Sequence, residues 1–237
     1  MKRYISIAFL PAAIYILFSI AGFGLSGVTG SIVYKIVIIV HLLFACSLVF
    51  KEAGNRVTML IGALGLGLLA VNEVFLFAYI HLFNGSTLDI TVANYSRNCA
   101  YLFFLAALLS LLPPALKWKK VNQIGANGLS AAVIILIFYG VLTDQANLLY
   151  YAAITMMVLC TASALLLLAG KNRNATLFAI SIIIACVLDA AYHIFSLLNN
   201  LNLSWYWQDI VMSLYPAVYL FIGFALIRLK EEEADNG

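Results

Sequence analysis

"VLDAAYHIFSLLN" (residues 187–199) places a carboxylate, Asp189, and an imidazole, His193, one helical turn apart inside an apolar run. "VNEVFLFAYIHLF" (residues 71–83) has the same character, with Glu73 where the later stretch has Asp189. Each stretch is too apolar for the surface of a soluble domain and too long for a buried strand, so both read as membrane-crossing helices. Matching continues downstream. "DITVANY" (89–95) resembles "DIVMSLY" (209–215), "AYLFFLAAL" (100–108) resembles "VYLFIGFAL" (218–226), and "GNRVTML" (54–60) resembles "KNRNATL" (171–177). The shared features come in the same order, which is the signature of an internal repeat.

Composition agrees. Of 237 residues, 65% are hydrophobic and 10% charged, and the mean hydropathy is +1.04. Soluble chains are nearer half apolar and a quarter charged. A helix needs about 20 apolar residues to cross the hydrocarbon core, and such segments fall at 4–24, 32–50, 57–83, 98–116, 127–143, 147–169, 174–198 and 207–229. The expected fold is therefore an all-α integral membrane protein of eight transmembrane helices, arranged as two parallel four-helix repeats. The repeats would cover 1–120 and 121–230 of a single membrane domain, followed by a short acidic tail, 231–237. The basic apolar start, "MKRYISIAFLPAAIYILF", reads as the first span and not as a signal peptide, because the repeat supplies it with a counterpart.

Orientation follows from lysine and arginine. Eleven of the 13 fall on one side of an eight-span chain, leaving Lys35 and Arg97 on the other. Both termini are thus expected in the cytoplasm of a multi-pass protein of the plasma (inner) membrane. The net charge of +3 is spread over short loops, with no basic stripe and hence no nucleic-acid footprint. Cys46, Cys99, Cys160 and Cys186 form no CxxC and lie in or beside apolar segments, as small packing residues do. His41, His81 and His193 sit on three different spans without HxxxH or HExxH spacing, so neither a metal nor another cofactor is expected. Oligomeric state is not encoded in any of these features.

Ionisable groups within a bilayer are costly and mark function by default. At 1.5 Å per residue, Glu73 and Asp189 lie roughly 15 Å below the outer end of their spans, at matched depth. His193 and Tyr192 border the Asp189 face, and Tyr79 and His81 lie nearer the outer surface on the Glu73 span. Lys35, Arg97, Asp89 and Asp209 belong to the same outer half. A lysine at the position of Lys35 ordinarily snorkels to the interface. Two readings of the acids stand side by side: they join helices through hydrogen bonds, or they handle protons. Burial disfavours a charged carboxylate, and a carboxyl kept neutral near pH 7 is a competent general acid.

With these residues in place, the chain resembles the YhhN-like lysoplasmalogenase family, eight-span membrane proteins whose enzymes hydrolyse the vinyl ether of lysoplasmalogens. The resemblance rests on Lys35 in "VYKIVIIV", Glu73 in "LLAVNEVFL", Asp189 in "ACVLDAAYHIF", and Tyr215 and Tyr219 in "LYPAVYLFIG". The chain has Ile36 where that family has Pro, Asn72–Glu73 for Gly–Asp, Leu188–Asp189 for Ser–Asp, and no His in the fourth span. The resemblance implies a membrane-lipid substrate. Taken with the buried polar residues above, the candidates are Asp189, Glu73 and His193 for catalysis and Lys35, Arg97, Tyr215, Tyr219 and His81 for binding the lipid. The paired acids also look like the multi-span input modules of bacterial sensor proteins, which implies a ligand-binding role without chemistry. A proton-coupled carrier using the acids at the repeat interface is a third expectation.

Overall fold

The computed structural model describes residues 28–54, 56–83, 91–116, 146–168, 173–200 and 205–235, with Ala13 and Leu17 besides. Six long helices account for nearly all of them. They are α1 (Val28–Ala53), α2 (Val57–Phe77, prolonged by a π-helical turn, Ala78–Leu82), α3 (Thr91–Leu116), α4 (Ala146–Leu168), α5 (Arg173–Asn200) and α6 (Trp205–Asp235). The expected spans at 4–24 and 127–143 lie outside the described residues, as does the tail beyond 235.

The burial pattern shows why these sequences are membrane helices. On α1 the buried side chains Tyr34, Ile38, Leu42, Ala45 and Val49 recur every three to four residues, which is one helical face. The opposite face is not polar. It exposes Val33, Ile36, Val40, Leu43 and Phe44. A helix apolar on both its buried and its exposed face suits lipid and not water. Five described stretches have the length and hydropathy to cross a bilayer: Ile32–Ala53, Val57–Leu82, Tyr95–Leu112, Ala175–Tyr192 and Val211–Leu229. The apolar part of α4, Ile154–Leu168, is shorter. The chain is a multi-pass integral membrane protein.

The helices pack in a closed ring. Each lies against its neighbour in the chain order, and α6 closes on α1. Two further contacts, α2 with α6 and α3 with α5, brace the ring across its middle. Exchanging α1, α2 and α3 for α4, α5 and α6 reproduces every one of these pairings.

Close approach depends on small residues. Without apolar solvent to expel from water, helices in lipid associate through van der Waals packing, and glycine lets backbones come near. A Cβ on Gly65 would sit 2.7 Å from Phe104 Cε1, and one on Gly62 would sit 2.6 Å from both terminal methyls of Leu226. Gly223 faces Ala45 in the same way across α6 and α1. The Phe104 ring is fully buried, so it has little room to yield. Gly65→Ala is therefore expected to lower stability by about 1–3 kcal/mol through overpacking. The thermal midpoint of the purified protein would report the loss, and Phe104→Leu in the same chain should recover part of it.

Polar contacts also tie neighbouring helices together. Thr58 and Ser110 share a hydrogen bond of 2.8 Å between the start of α2 and the end of α3. The thiol of Cys46 donates to Ala63 O (3.3 Å) and that of Cys160 to Tyr101 O (3.4 Å), so two of the four free cysteines serve as small packing groups with a weak donor. Between α1 and α2 the chain turns at Gly54, whose φ of 55° is the left-handed geometry that glycine adopts most readily after a helix. Pro216 lies inside α6 and has no amide to give to the carbonyl of Met212, so that carbonyl is released from the helical ladder at the level of the polar pocket described next.

Candidate functional site

Nine polar or charged side chains are buried among the described residues, and Lys35, Asn72, Glu73 and Asp189 of these line one pocket. The cavity is about 80 Å³, and its walls come from α1 (Tyr34, Lys35), α2 (Asn72, Glu73, Leu76), α3 (Arg97), α5 (Asp189, Tyr192) and α6 (Met212, Tyr215, Tyr219).

Each acid is held by a different set of partners. Glu73, 8% exposed, accepts from Lys35 Nζ at 2.6 Å on one oxygen and from Asn72 Nδ2 at 3.2 Å on the other. Lys35 is itself only 6% exposed. It does not snorkel to the interface: the carboxylate on the neighbouring helix turns the ammonium inward, and Tyr34 presents its ring 5.5 Å from Nζ. Asp189, 3% exposed, accepts the phenolic hydrogen of Tyr215 on Oδ1 and that of Tyr101 on Oδ2. Asp189 on α5 thus joins α3 to α6, while Glu73 on α2 joins α1. Both acids link neighbouring helices through these contacts.

Arg97 stands half-buried at the pocket wall. It makes no ion pair or hydrogen bond with any described residue, but it lies within the electrostatic reach of Asp189, Tyr101, Tyr215 and Tyr219. The Tyr219 ring packs on that of Tyr215 with centroids 5.6 Å apart. The Tyr219 hydroxyl likewise has no hydrogen-bond partner among the described residues.

Six of the eight candidate site residues thus come together: Asp189, Glu73, Lys35, Arg97, Tyr215 and Tyr219. His81 does not line the pocket. It sits on the π-helical turn, its ring 5.2 Å from that of Phe77. The His193 side chain lies outside the described residues. His41 is buried lower on α1, with Nδ1 2.7 Å from Val37 O, and no metal-binding cluster of His, Cys, Asp and Glu occurs among the described residues. Sequence reasoning missed Tyr101, which sits in an apolar run and looks like packing. The sequence held a signal for it, because "AYLFF" resembles "VYLFI" and the likeness sets Tyr101 against Tyr219.

The site is that of a polytopic membrane protein with a small polar chamber inside an apolar bundle. Comparison with protein-family models, curated proteins and solved structures found no match to this chain.

Proposed function

We propose that the chamber is a hydrolytic site for an ether-linked membrane lipid, acting on a vinyl ether as the resemblance to lysoplasmalogenases implies. The observation that carries the reading is the meeting of two buried carboxyls, a buried ammonium and a guanidinium in one pocket. Such groups are costly in lipid and are seldom retained for stability alone.

In the proposed reaction, protonated Asp189 gives its proton to the β-carbon of the vinyl ether, the alkene carbon not bonded to oxygen. The C=C electron pair forms the new C–H bond, and the adjacent carbon becomes an oxocarbenium ion. Water adds to that carbon, and its spare proton returns to the Asp189 carboxylate. The resulting hemiacetal collapses to an aldehyde and the freed alcohol. Tyr101 and Tyr215 stabilise the carboxylate that Asp189 becomes after giving up the proton. Glu73, paired with Lys35, supplies negative charge beside the cation. His193 is one turn from Asp189 on α5 and remains a candidate for orienting the water.

Pairing Glu73 on α2 with Asp189 on α5 follows if the chain is two parallel halves. The ring supports that reading, since its helix contacts are unchanged when the halves are exchanged. Eight spans and cytoplasmic termini belong to the same proposal.

A second reading, ligand binding without turnover, is favoured by one observation: all four carboxylate oxygens already accept a hydrogen bond. Mass spectrometry of lysoplasmalogen incubated with the purified protein separates the two. Release of a fatty aldehyde supports the hydrolase, whereas a co-purifying lipid that survives intact supports the binding module and sinks hydrolysis.

A further inference from the structure

We propose that Arg97 and Tyr219 form an oxyanion subsite that receives the phosphate group of the ligand. This deepens the reading above by naming the charge of the ligand, and it concerns binding whether or not turnover follows.

Hydrogen-bonding capacity in the pocket is unevenly spent. Glu73 Oε2 is taken by Lys35 and Oε1 by Asn72. Asp189 Oδ1 is taken by Tyr215 and Oδ2 by Tyr101. Each of the four oxygens keeps a second lone pair, but each already faces a donor from the protein. Donors, in contrast, are left over. Arg97 and Tyr219 both line the cavity, and neither hydrogen-bonds to a described residue. A guanidinium has five N–H donors and no acceptor, and its planar fork matches an oxyanion. A half-buried guanidinium on a polar cavity, with no hydrogen bond to a described residue, is stabilised by a ligand that supplies acceptors.

Charge and size agree. Lys35, Arg97 and Glu73 leave a net charge of +1 while Asp189 carries the proton the reaction uses and zero once it is given up, and both carboxyl groups are already covered by donors. The oxyanion therefore meets Arg97 without facing a bare acid. A cavity of about 80 Å³ accommodates a phosphate-sized group, since a single water needs roughly 10–15 Å³. It is too small to enclose a whole alkyl chain. Leu76 and Met212 make the remaining wall apolar, and the neighbouring positions Val33, Ile36 and Val74 expose apolar side chains along α1 and α2. The polar head of the ligand, its phosphate and ether linkage together, lies inside, and the rest of the alkyl chain runs out over this surface.

The test is calorimetric titration of the full chain in a neutral maltoside detergent with decyl phosphate, inorganic phosphate and decyltrimethylammonium. Decyl phosphate is expected to bind. Arg97→Ala should weaken it roughly 10- to 100-fold, and Tyr219→Phe about 3- to 10-fold. Tyr219→Phe keeps the ring, so it reports on the hydroxyl even if Arg97→Ala fails to fold. Inorganic phosphate binding as well as decyl phosphate identifies a free oxyanion as the ligand. Decyl phosphate binding alone identifies a lipid headgroup. Either result supports the subsite. The proposal is overturned if neither phosphate binds, if decyltrimethylammonium binds equally well, or if both variants bind as the parent does. Vinyl-ether cleavage measured on the same preparations keeps the readings apart. Binding without cleavage counts against the hydrolase alone, and cleavage that persists when phosphate binding is absent counts against the subsite alone.

Discussion

Lys35→Met is expected to destabilise the protein by about 3–5 kcal/mol, the usual result of removing one member of a buried ion pair. Lys35 and Glu73 are 6% and 8% exposed, and their charged atoms are 2.6 Å apart. With the ammonium gone, Glu73 keeps only Asn72 as a described donor and must stay charged at high cost or take up a proton. Methionine fills much of the volume of lysine, so the loss reports the missing charge and not a cavity. A second substitution separates the two. In Lys35→Met/Glu73→Met no charge remains to be buried, and apolar replacements of a buried pair are often neutral or stabilising. The double variant should therefore recover most of the stability that the single variant loses. Reversible unfolding in mixed micelles measures both. Equal losses in the two variants would show that packing, and not the ion pair, sets the effect.

Hydropathy made the helices legible, but it did not mark their ends. The expected span at 32–50 is part of a helix that begins at Val28 and runs to Ala53, stopping where Gly54 takes a left-handed φ. The expected span at 98–116 begins earlier, at Thr91. Its first residues, "TVANYSRN", are too polar for a hydropathy window, yet Arg97 among them faces a polar pocket and not lipid. Hydropathy reports which residues tolerate hydrocarbon, whereas helix length follows backbone hydrogen bonds. The π-helical turn at Ala78–Leu82 has no compositional mark at all, since "AYIHL" would serve equally in an α-helix.

The site was half legible for a related reason. A carboxylate in an apolar run stands out in any sequence, so Glu73 and Asp189 are visible one at a time. Their partners depend on which helices meet. Tyr101 is an ordinary aromatic until α3 packs against α5 and its hydroxyl reaches Asp189. Lys35 looks like an interfacial lysine until α1 lies on α2 with Glu73 opposite. His81 illustrates the converse. Its place near the C-terminal end of the Glu73 span suggests a binding role, but the ring turns to Phe77.

Asp189→Asn is expected to lower vinyl-ether hydrolysis by roughly 10²- to 10⁴-fold, the contribution of a general acid–base group, while leaving the fold in place. Asparagine has the shape of aspartate. Its amide oxygen can still accept from one tyrosine, and its NH₂ can donate to the oxygen of the other, so α3, α5 and α6 remain joined through the same three side chains. What the variant loses is the capacity to carry and release a proton. Tyr101→Phe and Tyr215→Phe remove one donor each and leave the carboxyl. They should reduce turnover less than Asp189→Asn does, because they change how well Asp189 holds its charge and not whether it can transfer a proton. Aldehyde release quantified by mass spectrometry, with the thermal midpoint recorded on the same samples, distinguishes these effects. An Asp189→Asn protein that melts normally and is inactive supports proton transfer by Asp189. Full activity in that protein removes Asp189 from the chemistry and leaves it as the buried acceptor that ties three helices together.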